Sequence, residues 1–292
     1  MKRTALKIAY IGTNFHGFQR QPDVRTVEEE LIYHLRKLGY IDDLKTARFR
    51  IAGRTDRGVH SLGNVISFQS EKEVQVNQIN NSLPDDIQII AKAPVRFGFK
   101  PRYAQMRKYR YILFDQGLDM EAIQKAADIF TGTHNFTNFT KRNQKTTTRT
   151  IDKIEIFKPT INENIKNKNK NYPHLNTTYE PIFFDIYGES FLWNMVRKMM
   201  RVFVDIGQGK MSLEELKRLL NPKEGEPRAY IKVLEPENLI LMDIQYDGIK
   251  FQYDDYACER FRRYLVNTLI NHQKTYAIKE VLLNSLEELH DD

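Results

Sequence analysis

The chain reads as an α+β protein, and three observations predict it. Strand-like apolar runs and helix-like segments are mixed without the strict alternation of a doubly wound sheet. Residues 108–114 alternate with a period of two, so Tyr109, Tyr111 and Leu113 share one face of a strand and Arg110, Ile112 and Phe114 the other. A 41% hydrophobic fraction with 17 Phe and 15 Tyr in 292 residues supplies a packed core for one large or two modest domains.

The elements follow in order. Residues 5–11 predict a first strand. Thr26 with Glu29 has the spacing of a capping box, and Val27, Leu31, Leu35 and Leu38 then fall on one helical face. Residues 49–52 and 65–68 predict two strands, Val76, Ile79 and Leu83 a short helix, and residues 87–95 a further strand. Met120, Ile123, Ala127 and Phe130 mark another helix, followed by strands at 151–157 and 182–187. A long helix is expected over 191–206, with Ser190 as its N-cap and Gly207 as its stop. Ser212 with Glu215 caps one more helix, ending before Asn221-Pro222, and residues 239–246 form the last strand. The Asn/Lys-rich segment 162–176 predicts a long surface loop. Beyond residue 250 a basic run, Arg260-Phe261-Arg262-Arg263, leads into helical periodicity at Leu265, Val266, Leu269 and Ile270, with a second helix around 278–289.

Lys and Arg number 45 against 38 Asp and Glu, a net charge of +7, which favours a polyanionic partner such as nucleic acid. One cysteine, Cys258, excludes an intramolecular disulfide and a thiolate zinc cluster. No apolar stretch is long enough to span a bilayer, and the N-terminus lacks the apolar segment of a signal peptide, so a soluble, cytoplasmic protein is expected. Gly12 and Gly17 have P-loop spacing, but Phe18-Gln19 follow where Lys-Ser/Thr is required. The seven histidines are scattered without a His-Glu-x-x-His pair, so no metal site is expected. No serine nucleophile elbow is present.

The chemistry concentrates in Gly53-Arg54-Thr55-Asp56-Arg57-Gly58-Val59-His60. A carboxylate stands here between two guanidinium groups, which favour its charged form, at the end of a strand-like segment. The flanking glycines permit a turn whose backbone a ligand can approach. Such a carboxylate can act as nucleophile or base, or it can be an ordinary surface ion pair.

Other blocks extend this motif in both directions. Tyr10-Ile11-Gly12-Thr13-Asn14-Phe15-His16-Gly17-Phe18-Gln19-Arg20-Gln21 precedes it, and Asn81-Ser82-Leu83-Pro84-Asp85-Asp86-Ile87, Phe99-Lys100-Pro101-Arg102-Tyr103 and Arg107-Lys108-Tyr109-Arg110-Tyr111 follow. Gly132-Thr133-His134-Asn135-Phe136-Thr137-Asn138-Phe139 and Phe191-Leu192-Trp193-Asn194-Met195-Val196-Arg197 complete the set. Block for block and in chain order, residues 6–247 resemble the TruA type of tRNA pseudouridine synthase.

The resemblance implies two similarly folded α/β halves, a continuous and largely antiparallel sheet, and a central active-site cleft. The expected division is 1–105 for the half carrying the Gly53–Asp56 loop, 106–250 for the second half, and 251–292 for a helical extension. It implies an isomerase that needs no cofactor, converts uridines 38, 39 and 40 of the tRNA anticodon stem-loop to pseudouridine, and works as a homodimer on tRNA, with neither DNA nor a membrane as partner. Asp56 corresponds to the catalytic aspartate and Arg54 to a residue that displaces the target base. Tyr109 corresponds to the active-site tyrosine that stacks on that base; Tyr111, on the same face, is its rival. Arg197 corresponds to the arginine that pairs with the aspartate. Trp193-Asn194 stand where many bacterial members carry two histidines, so no role of those histidines transfers. Gln19, Arg20, Arg57, His60, Arg102, Arg107, Lys108, Lys141, Arg142, Lys145 and Arg149 are candidate RNA contacts, with His60 and His134 equally readable as structural. Two alternatives stay open: a non-catalytic RNA-binding protein on this scaffold, and a pseudouridine synthase with other RNA targets.

Overall fold

The computed structural model describes residues 1–114, 117–141, 146–158, 180–223 and 225–288, so the 162–176 segment, Arg142 and Lys145 lie outside the described residues. Its centre is a nine-stranded, mostly antiparallel sheet. The first four strands, β1 (Lys2–Tyr10), β2 (Arg50–Ile51), β3 (His60–Ser70) and β4 (Ile87–Pro94), come from the first third of the chain. The others are β5 (Met106–Phe114), β8 (Lys153–Phe157), β9 (Pro181–Gly188), β10 (Leu239–Gln245) and β11 (Gln252–Tyr253). Their order is β11-β4-β1-β3-β10-β5-β9-β8, with β2 on β3. A separate pair is formed by β6 (Gly132–Asn135) and β7 (Thr148–Ile151).

The junction between β3, β10 and β5 positions the site. Leu241 of β10 stands beside Ser61 in a short parallel pairing and beside Tyr109 in an antiparallel one. The Gly53–Val59 loop, which feeds into β3, is therefore brought next to Tyr109 although half a hundred residues separate them in the chain.

Alternation along β1 explains the packing. Leu6, Ile8 and Tyr10 enter a core with α1 (Val27–Lys37) and α2 (Val76–Ser82), while Ala5 and Ala9 face the other side. A second core joins β5 and β9 to α3 (Met120–Phe130), α4 (Met195–Gly207) and α5 (Leu213–Leu220) through Phe130, Phe184 and Phe203. Among the described residues no helix is long and apolar enough to cross a membrane.

Several elements differ from expectation. At Thr26 only the forward half of the capping box forms, its hydroxyl accepting from Glu29 N at 3.4 Å. At Ser212 both halves form. The 151–157 run breaks at Asp152, whose N–H bonds Tyr187 O, so its two ends join different sheets. Leu239–Gln245 is not the last strand, because β11 follows and pairs with β4. Beyond it, the two expected C-terminal helices are one 34-residue helix, α6 (Asp255–Glu288), since no Gly or Pro interrupts that stretch. Helix α4 begins at Met195 and not at Phe191, with Asn194 as N-cap in place of Ser190. Gly207 is its last helical residue and Gln208 its C-cap, and Gly209 follows with a left-handed φ of +67° that lets its N–H bond Ile206 O.

Candidate active site

The Gly53–Val59 loop is fixed by its own sequence and by the 12–18 turn. Thr55 Oγ1 lies 2.8 Å from the buried Tyr10 hydroxyl, which accepts from Asn64 Nδ2 at 3.2 Å. The same amide donates to Gly53 O at 3.1 Å, and Phe18 N donates to Thr55 O at 3.0 Å. Gly12 presses so close to the loop that a Cβ there would sit 2.1 Å from Val59 O, which is why this position tolerates no side chain. The glycine spacing that resembled a P-loop is explained by contact between two stretches of backbone.

This scaffold presents Asp56 to a cleft of about 990 Å³. Asp56 Oδ1 accepts from Trp193 Nε1 at 2.9 Å, and Oδ2 from Arg197 Nη1 at 3.3 Å. Arg197 is held in turn by Leu234 O, 2.7 Å from its Nε, and by Asn194 Oδ1, 3.3 Å from Nη1. Tyr109 lines the same cleft, edge-on to Phe191 with ring centroids 5.1 Å apart. Burial raises the Tyr109 hydroxyl above its ordinary value and the Asp56 charge adds to this, against an opposing effect of Arg107, so the phenol is neutral at pH 7. Among the described residues that hydroxyl has no hydrogen-bond partner. Tyr111, its rival from the alternation pattern, is fully buried and donates to Glu235 O at 2.9 Å. Only the first of the two tyrosines can meet a ligand.

The remaining sequence candidates take different places. Arg54, Arg57, Gln19, Arg20 and Arg102 are exposed and line the cleft. Neither Arg54 nor Arg57 forms an ion pair with Asp56; the partner is Arg197, from a distant helix. Arg107 also lines the cleft but is buried, its guanidinium donating to the carbonyls of Glu189, Ala52 and Arg102. It is a strut between loops, not a free phosphate contact.

His60 and Lys108 depart further from expectation. His60 Nδ1 accepts from Gly12 N at 3.1 Å and its Nε2 lies 3.0 Å from Glu237 O, so both ring nitrogens are used by backbone. Desolvation lowers its pKa, more than the Glu237 contacts raise it, which keeps the ring neutral and structural. Lys108, one residue from Tyr109, points to the opposite face and pairs with Asp185 at 2.8 Å. His134, the other structural candidate, lies within hydrogen-bonding distance of Thr131 O at 3.0 Å. Arg149 donates to Thr148 O at 2.7 Å, and exposed Lys141 stands apart from the cleft lining.

Trp193 is the site residue that sequence reasoning did not assign. Its signal was its place ahead of α4, four positions before Arg197, which only the helix start at Met195 turns toward Asp56.

Comparison with known proteins agrees with this geometry. A family model described as tRNA pseudouridine synthase matches residues 7–103 and 126–247. A protein of Methanobrevibacter smithii named tRNA pseudouridine synthase A is 73% identical over 289 residues, covering 99% of each chain. Proteins of the same name from Methanothermobacter thermautotrophicus and Methanosphaera stadtmanae are each 41% identical, covering 100% and 94% of this chain and 98% and 95% of their own. With a carboxylate, a tyrosine and an arginine of the TruA-type blocks gathered in one basic cleft, and with relatives this similar over their full length, the chain belongs to the TruA-type tRNA pseudouridine synthases, which are isomerases.

Proposed function

We propose that this chain converts uridines 38, 39 and 40 in the anticodon stem-loop of tRNA to pseudouridine, without metal or cofactor, and that Asp56 is its catalytic carboxylate. The observation that carries the reading is the Asp56 carboxylate, held at one oxygen by Arg197 and at the other by Trp193, yet still open to a cleft rimmed by exposed arginines. The reaction breaks the N1–C1′ bond, turns the uracil and joins C5 to C1′. The C5 proton leaves to solvent and N1 gains a proton, so no electrons or outside groups are required. A carboxylate facing a sugar carbon suits the cationic character that develops at C1′, as it does in glycosidases. Asp56 either adds to C1′ or removes a C2′ proton to give a glycal. Tyr109 stacks on the flipped base, and its neutral hydroxyl relays the C5 proton, accepting it as it gives up its own to solvent. Arg54 and Arg57, exposed beside Asp56, take the place of the displaced base and hold nearby phosphates.

This reading includes a homodimer in the cytoplasm and the division of the chain at about residues 105 and 250. The test uses tRNA carrying tritium at uridine C5, prepared with a single labelled uridine at 38, 39 or 40. The expected result is tritium release from each, without ATP and unchanged by EDTA apart from effects on tRNA folding. Release only from other uridines would move the target. Tight tRNA binding with no release from any uridine would leave an RNA-binding protein on this scaffold.

A further inference from the structure

The Asp56 carboxylate is held from a single turn of chain, and that turn does more than pair a charge. Trp193 immediately precedes the N-cap of α4 and Arg197 lies in its first turn, so both donors arrive at the positive end of one helix. Between them Asn194 adopts a left-handed φ of 62°, a conformation that asparagine tolerates better than most residues. Its Oδ1 accepts from Arg197 Nη1, the same nitrogen that reaches Asp56. This sharp turn swings the indole back over the loop and aims its N–H at Oδ1.

The chemistry of the two donors differs. An aspartate held at one oxygen still rotates about a broad χ2 torsion, so the arginine contact alone fixes the charge but not the plane of the carboxylate. A donor on the other oxygen removes that rotation. The indole N–H donates along a single direction and adds no positive charge that would blunt a nucleophile. We propose that Trp193 is a positioning residue, whose indole N–H, together with Arg197, forms a two-point clamp that fixes the plane of the Asp56 carboxylate toward the cleft. The proposal rests on the isomerase reading above, and the clamp is measurable without it.

Trp193 is the chain's one tryptophan, so the indole N–H gives a single, unmistakable resonance in a ¹⁵N-correlated spectrum of the full-length protein. That resonance should move upfield and exchange faster with water in Asp56→Ala, which removes the acceptor. A spectrum identical to the wild type would overturn the clamp. In the tritium assay, Trp193→Phe should lower kcat by about tenfold to a hundredfold, the range expected when one hydrogen bond to a charged group is lost. KM for tRNA should stay within about twofold, because phosphate contacts are untouched. Trp193→His, which keeps a ring N–H, should recover part of kcat. Unchanged kcat in Trp193→Phe would reduce the residue to a wall of the cleft. Should the resonance report Asp56 while the wild type releases no tritium, the clamp stands and the isomerase reading falls.

Discussion

Asp185 and Asp56 are each held by an arginine, and the two are held in opposite ways. Asp185 on β9 is 2% exposed, gripped by Arg110 at 2.6 and 2.7 Å through both oxygens and by Lys108 at 2.8 Å. Asp56 is 28% exposed and meets one guanidinium nitrogen at 3.3 Å and one indole N–H. Burial alone would raise the Asp185 carboxyl, but hydrogen bonds from Arg110 and Lys108 reverse this and hold it below the usual carboxylate range. Both of its oxygens are taken up by cations of the neighbouring strand. Asp56 keeps lone pairs free, on the side that opens to the cleft. If Asp56 is the reacting group, as proposed, what sets it apart from Asp185 is incomplete satisfaction, not greater charge.

The sharpest way to break this contrast is at Asp56 itself. Asp56→Asn is close to isosteric and removes no cation, so tRNA affinity and its salt dependence should match the wild type. Tritium release should fall by at least about a thousandfold, as expected for loss of a reacting group. Equal rates in the two proteins would remove Asp56 from the chemistry.

The next test crosses the two arginines. Arg110→Met leaves buried Asp185 with Lys108 but without its two-point partner, and should cost about 1.5–3 kcal/mol of stability in denaturant titration. Its kcat per folded molecule should stay near that of the wild type. Arg197→Met should do the reverse, cutting kcat by about a hundredfold, the loss typical of one preorganised electrostatic contact, with a smaller change in stability. If both variants behaved alike, the distinction between the two pairs would fail.

Acid sharpens the same comparison. The folded Asp185 carboxyl lies below its unfolded value of about 3.9, so its contribution to stability is complete above that pH. The contribution is lost as pH falls below about 4 and through the folded value. In Arg110→Met this acid limb should flatten, measured as the midpoint of urea unfolding between pH 5 and pH 2.5.

The smallest expected effects separate the tyrosines. Tyr109→Phe should slow turnover by about tenfold, within the range for one proton-handling group, and leave stability alone, because its hydroxyl has no partner among the described residues. Tyr111→Phe should leave turnover alone and lower stability by about 1 kcal/mol, the worth of one hydrogen bond. The opposite pattern would mean that Tyr111 serves the cleft.

Much of this was legible in the chain. Period-two and helical patterns located most strands and helices of the core, because burial on one face leaves a local trace in sequence. The Gly53–Asp56 loop was visible because a carboxylate among glycines and arginines is unusual, and the collinear blocks named the family. Alternation in 108–114 narrowed the tyrosine to two residues without choosing between them. The choice came from Glu235 and Phe191, which lie far away in sequence and meet one tyrosine each. Likewise the arginines nearest Asp56 in the chain do not bind it, while Arg197 and Trp193 do. His60, Arg107 and Lys108 carry the residue types of RNA contacts, yet backbone carbonyls, a backbone amide and Asp185 occupy their polar atoms. Sequence determines which groups are available and which face of an element they take. Only the pairing of β3, β10 and β5, and the left-handed turn at Asn194, decide which of those groups meet. Such contacts join residues far apart in the chain, 137 positions for Trp193 with Asp56 and 141 for Arg197 with Asp56, and no local pattern records them.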